Sequence, residues 1–102
     1  MARRRKGKTH WRKQQGEDEY FQRAKQEGYR ARSAYKLIQI DRKFRILRSG
    51  QTVLDLGAAP GSWSQVAIKK VGADGLVVAV DLQPIEPIAR VHLFQGDMTD
   101  PR

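Results

Sequence analysis

Apolar residues in the second half of this chain come in three short blocks: TVLDLG (52–57), LVVAVDL (76–82) and VHLFQGD (91–97). Each is brief, carries β-branched residues and is bounded by glycine, proline or polar residues, which predicts a strand. LVVAVDL is apolar almost throughout, as a strand buried on both faces should be. Between the first two blocks, SWSQVAIKKV (62–71) has helical spacing, and GADG after it is a turn. QPIEPIAR (83–90) cannot form a regular helix, because Pro84 and Pro87 remove amide donors and clash with the preceding turn. The order strand, helix, strand, connection, strand predicts an α/β fold with a parallel sheet and right-handed crossovers.

The first half follows a different pattern. Residues 1–16 are basic and without period, which predicts a disordered arm. Glu17, Asp18 and Glu19 place negative charge where a helix would begin, and Gly28 is a C-terminal stop, so a helix is expected over 17–27. Ala34, Leu37, Ile38 and Phe44 recur near helical spacing and predict a second helix over 31–44. Arg30, Arg32, Lys36, Arg42 and Lys43 lie on or near its polar side. RSGQ (48–51) is a turn. The chain thus divides into an arm (1–16), N-terminal helices expected to face RNA (17–50), and a sheet-forming part (51–102).

Charge sharpens that division. Residues 1–51 carry a net +11 and residues 52–102 a net −2, which together give the +9 of the whole chain. A dense basic half attracts polyanions and releases their counterions, so nucleic acid is the expected partner. Trp11, Tyr20, Tyr29 and Tyr35 lie in the same half and could stack on unpaired bases, although Tyr35 reads better as core. With no cysteine there is no disulfide framework and no thiolate site. No apolar run approaches the ~20 residues of a membrane span, and the basic start lacks the apolar segment of a secretory signal. The expected location is the cytoplasm, with no membrane and no metal.

The loop DLGAAPGSWSQ (55–65) carries the candidate chemistry. A P-loop would end in Gly-Lys-Ser/Thr, whereas Gly61 is followed by Ser62 and Trp63. A dinucleotide loop prefers G-x-G-x-x-G with amides free for a pyrophosphate. Here the middle glycine is missing, Pro60 lacks an amide, and Trp63 would crowd the anion. The loop is poorly made for phosphate. Three acids lie where strands are expected to end, the edge at which open α/β sheets bind ligands. Asp55, two residues before Gly57, could face an ammonium group. Asp81, 24 residues after Gly57, stands where an acid bonds ribose hydroxyls, and Asp97 could accept from an adenine amino group. S-adenosylmethionine has an ammonium, a ribose and an adenine and no phosphate, so it matches this row better than NAD does. Taken singly, each acid could equally be a turn former or a helix cap.

VLDLGAAPGSWSQ, VVAVDLQPIEPI and FQGDMTD, with GYRARSAYKL (28–37) upstream, resemble the FtsJ-type ribosomal RNA 2′-O-ribose methyltransferases, also called large-subunit methyltransferase E. The resemblance covers roughly residues 17–100. One departure is Ser62, where many members carry a second glycine; serine suits a helix N-cap. The resemblance implies a Rossmann-like S-adenosylmethionine-dependent fold with a basic helical extension. It implies a cofactor site drawn from Asp55, Gly57, Gly61, Trp63, Asp81, Asp97 and Met98, and RNA contacts from Arg30, Arg32 and Lys36. Lys36 would be the first of a Lys-Asp-Lys-Glu set that orients a ribose 2′-hydroxyl toward the methyl group. A cationic neighbour stabilises the developing alkoxide, and an amine of lowered pKa can accept its proton. Alone, Lys36 would read as a solvated helix lysine. Ser33 and Lys36 also form S-x-x-K, but the companion motifs of an acyl-transfer site are missing.

The implied partner is ribosomal RNA or the large ribosomal subunit, with transfer RNA as an alternative, and the full-length form is expected to be a monomer. The other Asp, Lys and Glu of the set have no counterpart before Arg102. The chain therefore reads as an N-terminal half, truncated after the third strand and inactive alone, with its first strand an exposed edge. Two other readings stay open: a non-catalytic RNA-binding module, and a fragment of a nicotinamide-dependent oxidoreductase.

Overall fold

Three parallel strands, β1 (Thr52–Leu56), β2 (Leu76–Asp81) and β3 (Val91–Gln95), form one sheet in the order β1-β2-β3. The structure, a computed structural model, describes residues 22–97 and Thr99. The basic arm, residues 17–21, Trp11, Tyr20 and Met98 lie outside the described residues. The helical stretch 22–27 is α1, and Gly28 ends it with a φ of 83°. Helix α2 is Ser33–Phe44 and α3 is Ser62–Val71.

Helix α2 begins two residues later than the apolar spacing suggests. The Arg30 amide is held by Gln65 Oε1 at 2.9 Å, so the chain at 30–32 follows α3 before it can coil. Bonds from Ala34 and Tyr35 back to the carbonyls of Ala31 and Arg32 then open the helix. The helix ends at Arg45, whose φ of 52° is left-handed and whose amide donates to Asp41 O. The strands likewise stop one or two residues short of their apolar blocks. Gly57, with φ 68°, turns the chain out of β1.

Register decides what each strand buries. Val53 pairs with Val77 and Val77 with Val91, so the three share a face. Ala67, Ile68 and Val71 of α3 pack there with Val77, and Val53, Val91 and Leu47 close the cluster. Val66, on another side of α3, joins Ala34 and Leu37 of α2, with Tyr29, Ile38 and Leu47 around them. The N-terminal helices and the sheet therefore share one core through α3 and Leu47.

The opposite face corrects the expectation that β2 is buried on both sides. Val77 and Ala79 are buried, but their neighbours Val78 and Val80 are half-buried. Only one face of the sheet carries a helix among the described residues, because the connection from β2 to β3 is interrupted by two prolines and is not helical. Leu54, Leu56 and Phe94, on the uncovered face, are 58%, 57% and 60% exposed. Tyr35 is core, as expected. It meets the Tyr29 ring edge-on at 5.7 Å, and the Arg23 guanidinium lies 4.9 Å from its ring centre. Burial, then the nearby Glu27 carboxylate, push its hydroxyl up to about 12.

Asp41 is a buried carboxylate that the apolar pattern does not announce. It accepts the Leu47 amide at 2.7 Å and meets Lys70 Nζ at 3.6 Å, tying the turn after α2 to α3. Replacing Asp41 with Ala leaves the partly buried Leu47 amide without its partner and should cost about 1–3 kcal/mol, measured by urea unfolding. The bare face yields a second expectation. At micromolar concentration the chain should self-associate in sedimentation velocity, and Leu54→Lys with Leu56→Lys should shift it toward monomer. A monodisperse wild-type monomer would count against this.

Candidate functional site

The turn from β1 into α3 uses its own amides internally. Gly57 and Ala58 donate to Val80 O at 2.8 and 3.1 Å, Ala59 donates to Asp81 Oδ2 at 2.8 Å, and Pro60 has no amide. Positions 57–60 therefore offer no free donor to a phosphate. In this the turn differs from a dinucleotide loop, whose glycines leave amides free; the amides that open α3 have no intrahelical acceptor. Gly61 precedes α3 with a φ of 112°. A Cβ there would lie 2.7 Å from Ile88 Cδ1, so close packing accounts for this glycine.

A pocket of about 280 Å³ opens over this turn, lined by Ser33, Asp55, residues 56–60, Ser62 and Trp63. Asp55 is half-buried, and its Oδ2 accepts the Ser64 hydroxyl at 2.7 Å. Trp63 donates its indole N–H to Ser33 O at 2.9 Å, and the hydroxyls of Ser33 and Ser62 lie 2.7 Å apart. These bonds fix where the first turn of α2 meets the first turn of α3. A second, wider pocket of about 410 Å³ is lined by Arg32, Ser33, Tyr35, Lys36 and Gln39. Ser33 lines both, so Lys36 stands one helical turn from the mouth of the glycine-loop pocket.

The other two acids have local duties. Asp81, at the end of β2, accepts the Gln83 amide on Oδ1 at 2.9 Å and the Ala59 amide on Oδ2 at 2.8 Å. These two amides, Gln83 first, hold its carboxyl below the usual range. Each oxygen keeps a lone pair for a further donor. Asp97 accepts both the hydroxyl and the amide of Thr99 on Oδ1, at 2.6 and 2.8 Å, and the Thr99 hydroxyl is the larger cause of its lowered pKa.

Of the residues singled out in sequence, Asp55, Gly57 and Trp63 line the loop pocket, and Lys36 and Arg32 line its neighbour. Asp81 reaches the loop through Ala59, whereas Asp97 lines neither pocket. Met98 is outside the described residues. Arg30 points inward, with all three of its side-chain bonds on backbone carbonyls of this chain. Ser33, Ser64 and Gln65 were missed as site residues. The S-x-x-K spacing drew attention to Ser33, but its bonding depends on a helix 29 residues away. Among the described residues no group of three or more His, Cys, Asp or Glu could hold a metal ion. No helix among them is long and apolar enough to cross a membrane.

The FtsJ-like methyltransferase family model matches residues 29–102, and the chain belongs to that family. The family accounts for a Rossmann-like fold with β1, the glycine turn and α3 at its start. Among its relatives, the ribosomal RNA large subunit methyltransferase E of Azoarcus sp. (strain BH72) is 54% identical over 90 residues, covering 88% of this chain and 44% of that protein. The protein of the same name from Methanothermobacter thermautotrophicus is 52% identical over 93 residues, covering 89% and 44%. A crystal structure from Plasmodium falciparum, described as a ribosomal RNA methyltransferase, superposes with a TM-score of 0.66 at 35% identity, over 72% of this chain and 41% of that one. The chain thus spans about 44% of the length of the curated relatives it matches.

Because the Asp81 pKa is depressed in the folded chain, its stabilisation is full above the unfolded value of about 3.9 and is lost as pH falls through the folded one. Asp81→Asn should lower the midpoint of thermal unfolding at pH 7, and the gap to wild type should close below about pH 4. A gap constant from pH 7 to 2.5 would contradict this.

Proposed function

We propose that this chain provides the donor loop and one catalytic lysine for S-adenosylmethionine-dependent methylation of a ribose 2′-hydroxyl in large-subunit ribosomal RNA. The observation that carries the reading is the pair of pockets meeting at Ser33. One has no free amide at positions 57–60 and carries the Asp55 carboxylate; the other is lined by Lys36 and Arg32.

The residues fit the cofactor on these grounds. Asp55, steadied by Ser64, offers a carboxylate to an ammonium or sulfonium group, and its Oδ1 stays available within the pocket. Gly57 keeps the backbone open, since nothing lies within 4 Å of where its Cβ would be. Trp63 contributes an apolar wall and is anchored through its indole N–H. Asp81 keeps lone pairs for ribose hydroxyls at the end of β2. When bound, S-adenosylmethionine supplies an electrophilic methyl group. Lys36, exposed on α2, places a positive charge beside the attacking ribose oxygen as that oxygen loses its proton. Arg32, on the same stretch, contacts phosphate.

Relatives about twice as long carry the name ribosomal RNA large subunit methyltransferase E, which supports ribosomal RNA as substrate. On this reading the transfer needs groups beyond the donor loop and Lys36, and methylation of ribosomal RNA by this chain alone would overturn that requirement. Calorimetric titration tests the site itself. S-adenosylmethionine should bind more tightly than NADH, and Asp55→Asn should weaken it about tenfold, the size of one lost charge-assisted bond. RNA affinity should be unchanged in that variant. RNA binding without any S-adenosylmethionine binding would favour a non-catalytic RNA-binding module.

A further inference from the structure

We propose that Arg30 is a positioning residue for the glycine loop and not a contact for RNA. Its guanidinium lies against three backbone carbonyls. Nη1 donates to Pro60 O at 2.9 Å and to Glu86 O at 2.6 Å, and Nη2 donates to Pro87 O at 2.7 Å. Its own amide donates to Gln65 Oε1 at 2.9 Å, and Gln65 Nε2 donates to Gly28 O at 3.0 Å. This latch joins the turn before α2, the first turn of α3 with its preceding loop, and the connection from β2 to β3.

The need for such a latch follows from the sequence of the connection. Pro84 and Pro87 keep residues 83–90 out of a helix, so the carbonyls of Glu86 and Pro87 must find donors elsewhere. A planar guanidinium can meet several carbonyls at once from two nitrogens, whereas a lysine offers its donors from a single point. Gly61 leaves the space: a Cβ there would sit 3.3 Å from Arg30 Nη1 and 2.7 Å from Ile88 Cδ1. The pocket-lining turn is thereby held at two successive residues by two separate elements. Asp81 takes the Ala59 amide, and Arg30 takes the Pro60 carbonyl. An Arg30 that turned out to bind a phosphate would leave three carbonyls without these donors and free the loop that lines the pocket. Arg32 at the N-cap of α2 and Lys36 on α2 are exposed and line the wider pocket, and on this reading they are the RNA-facing pair.

The consequence for cofactor affinity rests on the function proposed above; the latch does not. The test uses the 102-residue chain as wild type and as Arg30→Ala, Arg30→Lys and Arg32→Ala. Arg30→Lys keeps the charge but loses the fork, so a phosphate contact would survive it and the latch would not. Hydrogen exchange should quicken on the order of tenfold or more at the Ala59 and Val91 amides in both Arg30 variants and not in Arg32→Ala. Binding to a single-stranded RNA oligonucleotide, read by fluorescence anisotropy, should weaken in Arg32→Ala and stay at the wild-type level in Arg30→Ala, where a phosphate contact would be lost. S-adenosylmethionine affinity should fall about tenfold in both Arg30 variants. Failure of the wild type to bind S-adenosylmethionine would sink the proposed function while leaving the exchange result to decide the latch. Wild-type exchange in either Arg30 variant overturns the proposal; should Arg30→Ala not fold, Arg30→Lys alone decides it.

Discussion

The first turn of α3 holds this structure together. The helix has 10 residues, too few to be stable in water by itself, so burial must keep it folded. Ala67, Ile68 and Val71 bury against the sheet, and Val66 buries against α2. Successive residues in a helix point about 100° apart, so four consecutive side chains in its first turn reach in different directions. Ser62 meets Ser33, Trp63 meets the Ser33 carbonyl, Ser64 meets Asp55 of β1, and Gln65 meets Gly28 and Arg30. Apolar burial fixes the axis of the helix, and these bonds fix its rotation. Lys36 and the glycine loop acquire their relation to each other only through that turn.

The loop itself is shaped by satisfied backbone groups. Its amides at 57–59 go to the end of β2, and its Pro60 carbonyl goes to Arg30. Each bond is worth only about 0.5–3 kcal/mol net, but together they leave no slack in the wall of the pocket. They also decide its chemistry. With the amides at 57–59 already bonded, the groups that the turn itself presents are a carboxylate, an indole and bare backbone, which on the proposed reading suit a cationic ligand. Asp81 serves both purposes, since it binds the loop while keeping lone pairs free at the strand edge.

Much of the fold was legible in sequence because short apolar blocks and a proline-interrupted connection leave few arrangements open. The strands, α3, the stop at Gly28 and the core position of Tyr35 all follow from periodicity and turn chemistry. The parallel order follows from the strand-helix-strand grammar. The burial of β2 on both faces did not follow, because that expectation assumed a helix on each side and the connection after β2 supplies none. The late start of α2 was also hidden, being set by Gln65, 35 residues away from Arg30.

Sequence by itself determined that this is an α/β chain with a glycine loop that departs from the phosphate-binding patterns, acids near its strand ends and a basic N-terminal half. These are properties of residue type and near neighbours, which spacing records. Only the tertiary structure decided which polar groups are used up inside the protein. Arg30 and Arg32 look alike in GYRARSAYKL, yet one holds three carbonyls of its own chain and the other lines an open pocket. Asp55 and Asp97 both read in sequence as strand-end acids, yet one lies within β1 and lines the loop pocket, and the other stands two residues past β3 and closes a turn on Thr99. The difference lies in hydrogen bonds between residues far apart in the chain, and no local pattern encodes which donor will reach which acceptor.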